Sequence, residues 1–215
     1  MVKLHKSPLP VGVTIKSGLD YRKEPVFSII KDDCNNKCYI CEEKGTTSMH
    51  VEHRVSQSFD PSRKYDWNNL LLSCGHCNRV KGSRYNTILD CTRVDPEAYI
   101  SLRIAIGLYE RVTVIKIGER DGVDETIRLL DTVYNGESTA ILKYECKNLR
   151  AHVLAEVQTF QQLLDGYFEE NDTALKEAFQ RKISESISRA SNFASFKRGI
   201  IKNNDTLFAL FKDTL

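Results

Sequence analysis

Two Cys-x-x-Cys pairs, Cys38–Cys41 and Cys74–Cys77, constrain this chain more than anything else in it. Each pair sets two thiolates at the ends of a tight knuckle, a spacing that tetrahedral zinc accepts. Four cysteine ligands leave no open coordination position, so a zinc ion there is structural. Any chemistry then falls to the residues held between the knuckles. These include Val51-Glu52-His53-Arg54 and Trp67-Asn68-Asn69-Leu70, followed by Cys74-Gly75-His76-Cys77-Asn78-Arg79-Val80-Lys81.

At these positions the chain resembles the HNH endonuclease family. That pattern is a cysteine pair, an Asp/Glu-His dipeptide closing a strand, an Asn-Leu, and a second cysteine pair followed directly by His or Asn. The matching residues are Glu52-His53, Asn69-Leu70 and Cys74-x-x-Cys77-Asn78, all in order. The last position is asparagine, as in a common subset of the family, and not the second histidine of the name. The segment from Glu52 to Phe59 also looks like the corresponding strand of the HNH domain in RNA-guided CRISPR effectors. The resemblance implies an α+β chain with a small, zinc-stapled ββα-metal core.

Phosphodiester hydrolysis needs an activated water, a cation on the departing oxygen and stabilisation of charge on the phosphoryl group. His53 is the one candidate base in the motif, since an imidazole suits proton removal near neutral pH. The family pattern gives the role of orienting it to Asn69, which stands five residues before Cys74. Glu52 and Asn78 offer oxygen ligands, which suit magnesium or manganese; the family resemblance implies this same pair. Arg54, Arg79, Lys81 and Arg84 stand near in sequence as candidate contacts to backbone phosphates. Cys34 precedes Cys38 by one helical turn, close enough to compete as a zinc ligand, but a bystander thiol is the expected reading. For His50 and His76 a surface or supporting role is expected.

Charge divides unevenly. Residues 1–96 hold 15 Lys/Arg against 11 Asp/Glu, while residues 97–215 hold 16 against 18, so the excess positive charge lies with the motif. A phosphate-binding face requires that side to be positive. Seven cysteines with no apolar signal-peptide core at the start point to a reducing, cytoplasmic setting and to metal binding. No apolar run is long enough to span a bilayer, so no membrane partner is expected.

Three regions are expected: an extended arm over residues 1–30, the nuclease core over 31–96, and a largely helical region over 97–215 that docks a protein partner. Within the core, the pattern predicts a short helix or strand from Val26 to Lys31 and a strand from Met49 to Arg54. A polar loop from Ser56 to Asp66 is anchored by Trp67, and a second strand covers Asn69 to Leu72. A helix starting near the second knuckle ends at Gly82. Further on, Tyr99–Ile106 and Arg111–Ile117 read as a hairpin turning across Gly107–Glu110. Asp124–Tyr134 reads as a helix. A stripe of Leu142, Cys146, Leu149, Val153, Val157, Phe160, Leu164 and Tyr167 predicts one long helix of about 45 Å. Leu175, Phe179, Ile183, Ile187 and Ala190 repeat the pattern. Asp205 is the expected N-cap of a last helix carrying Leu207, Phe208, Leu210 and Phe211, a cluster expected to meet the partner.

The opening Lys3-Leu4-x-Lys6-x-Pro8-x-Pro10, the core near residue 40 and the helical second half together resemble the nuclease component of Septu antiphage systems. That resemblance implies an ABC-type ATPase partner, PtuA-like. The alternatives are a free-standing restriction or nicking HNH enzyme, which favours a basic second half, and a non-catalytic zinc module. The substrate is expected to be DNA, with an RNA such as tRNA left open, because the site reads a phosphodiester and not a base.

Overall fold

The computed structural model describes residues 1–17, 20–105 and 110–215. The chain divides into two compact units. One comprises residues 1–100 and 116–133, the other residues 101–115 and 134–215. Residues 116–133 therefore group with the first unit, a division that differs from the single boundary expected after residue 96.

The first unit is built on a short antiparallel pair, β1 (Met49–His53) and β2 (Leu70–Cys74), with Met49 opposite Cys74 and His53 opposite Leu70. Every residue of β2 is buried. Two helices, α1 (Val26–Asp33) and α2 (Gly75–Lys81), pack against it. Cover on both faces explains why Leu70-Leu71-Leu72 reads as an unbroken apolar run and does not alternate. The second strand begins one residue later than the pattern predicts. Trp67–Asn69 forms a 3-10 turn, capped where the Asp66 side chain accepts from the Asn68 amide. Helix α2 starts at the cap residue Cys74 and stops at Gly82, whose φ of 46° favours glycine.

The N-terminal arm packs on this core. Met1, Val2 and Leu4 are buried, and the Leu4 amide donates to the Cys91 carbonyl at 2.9 Å. The Trp67 indole donates to the Ser7 carbonyl at 2.7 Å, and the Lys6 ammonium sits 3.6 Å from the Trp67 ring centroid. Helix α3 (Val123–Asn135) closes the unit over residues 85–92. Its Thr126 hydroxyl accepts from the Leu89 amide at 2.8 Å. Gly122, just before it, has a φ of 90°, and any side chain there would collide with the Thr87 carbonyl.

In the second unit, β3 (Ile100–Ile104) and β4 (Val112–Lys116) form the expected antiparallel hairpin. Ile106 and the turn residues 107–109 lie outside the described residues. Asn135 pins β4 by bonding both the amide and the carbonyl of Val112, at 3.1 and 2.7 Å. The long helix is α4 (Ala140–Glu169), 30 residues capped by the Thr139 hydroxyl. Its stripe is buried from Cys146 to Leu164.

Helix α5 (Thr173–Ile187) buries Ile183 and Ile187 but leaves Leu175 exposed, and it ends before Ala190. The chain then turns through Phe193 into α6 (Ala194–Lys202). The last helix, α7 (Asp205–Phe211), is capped by Asn204 and not by Asp205: the Asn204 carboxamide accepts from the Leu207 amide at 3.0 Å. Leu207 and Phe211 join Phe160, Leu164, Ile183, Ile187 and Ile201 in one core. Half of the terminal cluster expected to meet a partner thus belongs to the unit's own interior, and only Phe208 and Leu210 remain exposed.

Phe160 is fully enclosed in that core. Phe160→Ala should lower stability by about 3–5 kcal/mol in urea unfolding. Phe168→Ala on the exposed side of the same helix should cost no more than about 0.5 kcal/mol.

Candidate functional site

The two knuckles close on one point. The Sγ atoms of Cys38, Cys41, Cys74 and Cys77 all lie within 4.8 Å of one another, and all four residues are buried. The Cys41–Cys74 separation is 3.9 Å, against about 3.8 Å for the edge of a tetrahedron with metal–sulfur bonds of about 2.3 Å. Burial pushes the thiols of Cys41 and Cys77 well up, and their sulfur neighbours add to the rise. Burial acts the same way on Cys38, but hydrogen bonds from the other three thiols outweigh it and carry Cys38 well below its ordinary value. A divalent ion lets all four ionise. The donor set and its geometry fit zinc. Cys34 stands apart, accepting from the Leu72 amide at 3.3 Å with its thiol pushed up to about 12 by burial.

Glu52 and His53 end β1 and face different surroundings. Glu52 is buried, accepting from the Lys81 ammonium at 2.6 Å on Oε1 and from the Tyr39 hydroxyl at 2.7 Å on Oε2. Burial lifts its carboxyl above the ordinary range, opposed by the Lys81 charge. Lys81 also donates to the His53 carbonyl at 2.9 Å. With no exposed surface, its ammonium does not reach a phosphate in solvent, which corrects the expectation that Lys81 contacts nucleic acid. Arg54 is likewise committed: it donates to the Ile88 carbonyl at 3.1 Å and lies 3.5 Å from Asp90. Arg79 and Arg84 are exposed on and just beyond α2.

The His53 ring is held by the loop between the strands. Its Nε2 meets the Lys64 carbonyl at 2.8 Å. A carbonyl only accepts, so Nε2 carries the proton and Nδ1 holds the free lone pair. The exposed Gln57 amide lies 3.3 Å from Nδ1. The Tyr21 ring meets the imidazole edge to face at 5.5 Å. Burial lowers the His53 pKa from its usual 6.5, and the Lys81, Lys64 and Arg22 charges push the same way against the Lys64 hydrogen bond.

Asn69 is fully buried and does not touch this ring. Its carboxamide bonds both the amide and carbonyl of Val55, at 2.8 and 2.9 Å, and donates to the Arg63 carbonyl at 3.2 Å. It therefore fixes the loop whose next carbonyl takes His53. The Asn78 carboxamide is half-exposed and has no partner among the described residues. His50 pairs with Ser48 and His76 with the Val133 carbonyl, both in supporting roles.

The two residues expected to hold magnesium or manganese differ in access. Asn78 offers an open oxygen, but both oxygens of Glu52 are engaged and enclosed. The sequence reading missed Tyr39, Gln57, Lys64 and Tyr21. Tyr39 lies inside the first knuckle and was within reach of pattern reading; the other three sit in segments with no periodicity.

Residues 38–84 match the HNH endonuclease family. The chain is also similar to the Septu protein PtuB of Bacillus thuringiensis, 35% identical over 74 residues. That stretch covers 32% of this chain and 29% of the relative, so the match spans less than a third of the relative's length. No solved structure matches the chain.

Two outcomes follow from the geometry. Purified protein should carry about one zinc per chain by elemental analysis, and Cys74→Ser should lose both the metal and most of the thermal stability. Lys81→Met should cost about 3–5 kcal/mol by leaving Glu52 buried without its counter-charge. The double variant Lys81→Met with Glu52→Gln should recover a measurable part of that loss in urea unfolding.

Proposed function

We propose, from the HNH endonuclease domain at residues 38–84 and the setting of His53, that this chain is a nuclease hydrolysing nucleic-acid phosphodiester bonds. One observation carries the reading. His53 is held as a neutral imidazole with Nε2 bonded to a carbonyl and Nδ1 facing only an exposed, replaceable glutamine amide. A water entering in place of Gln57 would meet that lone pair, and His53 would take its proton as the water attacks phosphorus. Asn69 keeps the Lys64 carbonyl in position, so it acts on the base through the loop. A magnesium or manganese ion would supply charge stabilisation at the departing oxygen when bound.

The likeness to the Septu protein PtuB supports a place in antiphage defence. In that role the chain acts with an ABC-type ATPase, PtuA-like, on DNA or an RNA. Residues 97–215, with 16 Lys/Arg against 18 Asp/Glu, suit docking of a protein better than an independent grip on nucleic acid.

His53→Ala should abolish cleavage of DNA and RNA substrates while zinc content and thermal midpoint stay unchanged. Because burial depresses the His53 pKa, the ring is neutral at pH 7 and must protonate for activity to fall. The acid limb of kcat/KM should therefore have its midpoint below the usual 6.5 and vanish in the variant. Cleavage retained by the variant, free of contaminating nuclease, would place the base elsewhere.

A further inference from the structure

Of the four cations that the sequence places near the motif, Arg79 and Arg84 are exposed, while Lys81 and Arg54 are spent within the protein, as is the nearby Arg63. Lys81 is enclosed with Glu52, Arg54 serves Ile88 and Asp90, and Arg63 is bonded to Asp66 at 2.8 Å. Two others remain. Arg22 ends the 3-10 turn Asp20–Arg22, directly after the Tyr21 whose buried ring meets His53 edge to face. Its guanidinium is exposed and lies 5.9 Å from the Tyr21 ring centroid. Lys64 supplies the carbonyl that holds His53, and its half-exposed ammonium lies 5.3 Å from the Tyr65 ring centroid. Neither cation has a carboxylate partner among the described residues.

The geometry points to Arg22 and Lys64 as a two-sided phosphate clamp at His53, formed by the N-terminal arm on one side and the inter-strand loop on the other. This rests on the nuclease reading and names the part of that site which binds substrate. Each cation is attached to a residue that touches the His53 ring: Arg22 through its neighbour Tyr21, Lys64 through its own carbonyl. Aromatic faces hold cations at little cost in hydration, so each is oriented but still free to meet an anion. Arginine in particular matches phosphate oxygens with a planar fork of donors. The ligand is the phosphodiester backbone itself, and Arg22 lies outside residues 38–84. The arm thus adds positive charge to the site from outside that stretch.

The test uses the full chain with His53→Asn, which leaves the probe uncut and keeps a planar side chain against Tyr21. Fluorescein-labelled duplex DNA and a single-stranded RNA of the same sequence are titrated by anisotropy over a range of sodium chloride concentrations. Adding Arg22→Ala and Lys64→Ala should reduce the slope of log K against log salt by about 0.9 per cation on the duplex, or about 0.7 on the single strand. The charge-preserving Arg22→Lys with Lys64→Arg should restore most of the slope, which separates charge from folding. In the chain with His53 intact, the double alanine variant should raise KM. An unchanged slope with zinc content and circular dichroism intact overturns the clamp while leaving the nuclease reading in place. Absence of both binding and cleavage by the unsubstituted chain overturns the two together.

Discussion

Four buried sulfurs hold together the part of this chain that bears the candidate chemistry. They belong to three pieces of backbone: the knuckle before β1, the end of β2 and the first turn of α2. Two strands of five residues and a helix of seven cannot bury enough apolar surface to fix one another. A cation shared by all four thiolates would link those pieces directly and offset the repulsion among their charges. The four-sulfur cluster therefore bears on where β1 ends relative to α2, and with it on the place of His53.

A second constraint works inside the first. The Lys81–Glu52–Tyr39 cluster joins α2, β1 and the first knuckle through three short polar contacts in an enclosed space. Buried ion pairs often contribute little net stability, because desolvation offsets their attraction. Their use here is better seen in what they position. Lys81 holds the His53 carbonyl, while the Lys64 carbonyl holds the His53 ring. Backbone and side chain of the base are thus fixed from opposite directions by groups far apart in sequence. Asn69 secures the loop by gripping Val55 and Arg63 rather than by touching the imidazole.

Much of this was legible in the sequence, and the failures share a cause. The cysteine pairs, the strand–strand–helix order and the long stripe of α4 are local or periodic signals, and the structure carries them as expected. What a sequence does not display is which charges are buried. Lys81 and Arg54 read as phosphate contacts because cations near a motif look available, yet one is enclosed and the other bonded across the fold. Nor does a sequence display that the two Glu52 oxygens accept from Lys81 and Tyr39. One cap moved by a residue where two candidates stood side by side: Asn204 rather than Asp205. Leu207 and Phe211 read as exposed because they lie near the chain end, but a return onto α4 and α5 encloses them.

The charges near His53 also reconcile two demands that ordinarily conflict. A base beside a carboxylate is pushed toward protonation, which would disable it at neutral pH. Glu52 is the adjacent residue, and pairing with Lys81 removes most of its negative field from the ring. Arg22 and Lys64 then bias the imidazole toward its neutral form, in the same direction as burial. Under the nuclease reading these charges attract the phosphodiester as well, so one arrangement keeps the base deprotonated and draws substrate to it. Once a phosphate sits between the cations, their effect on the ring is partly cancelled. The proton taken from water is then easier for His53 to keep, at the moment when keeping it matters.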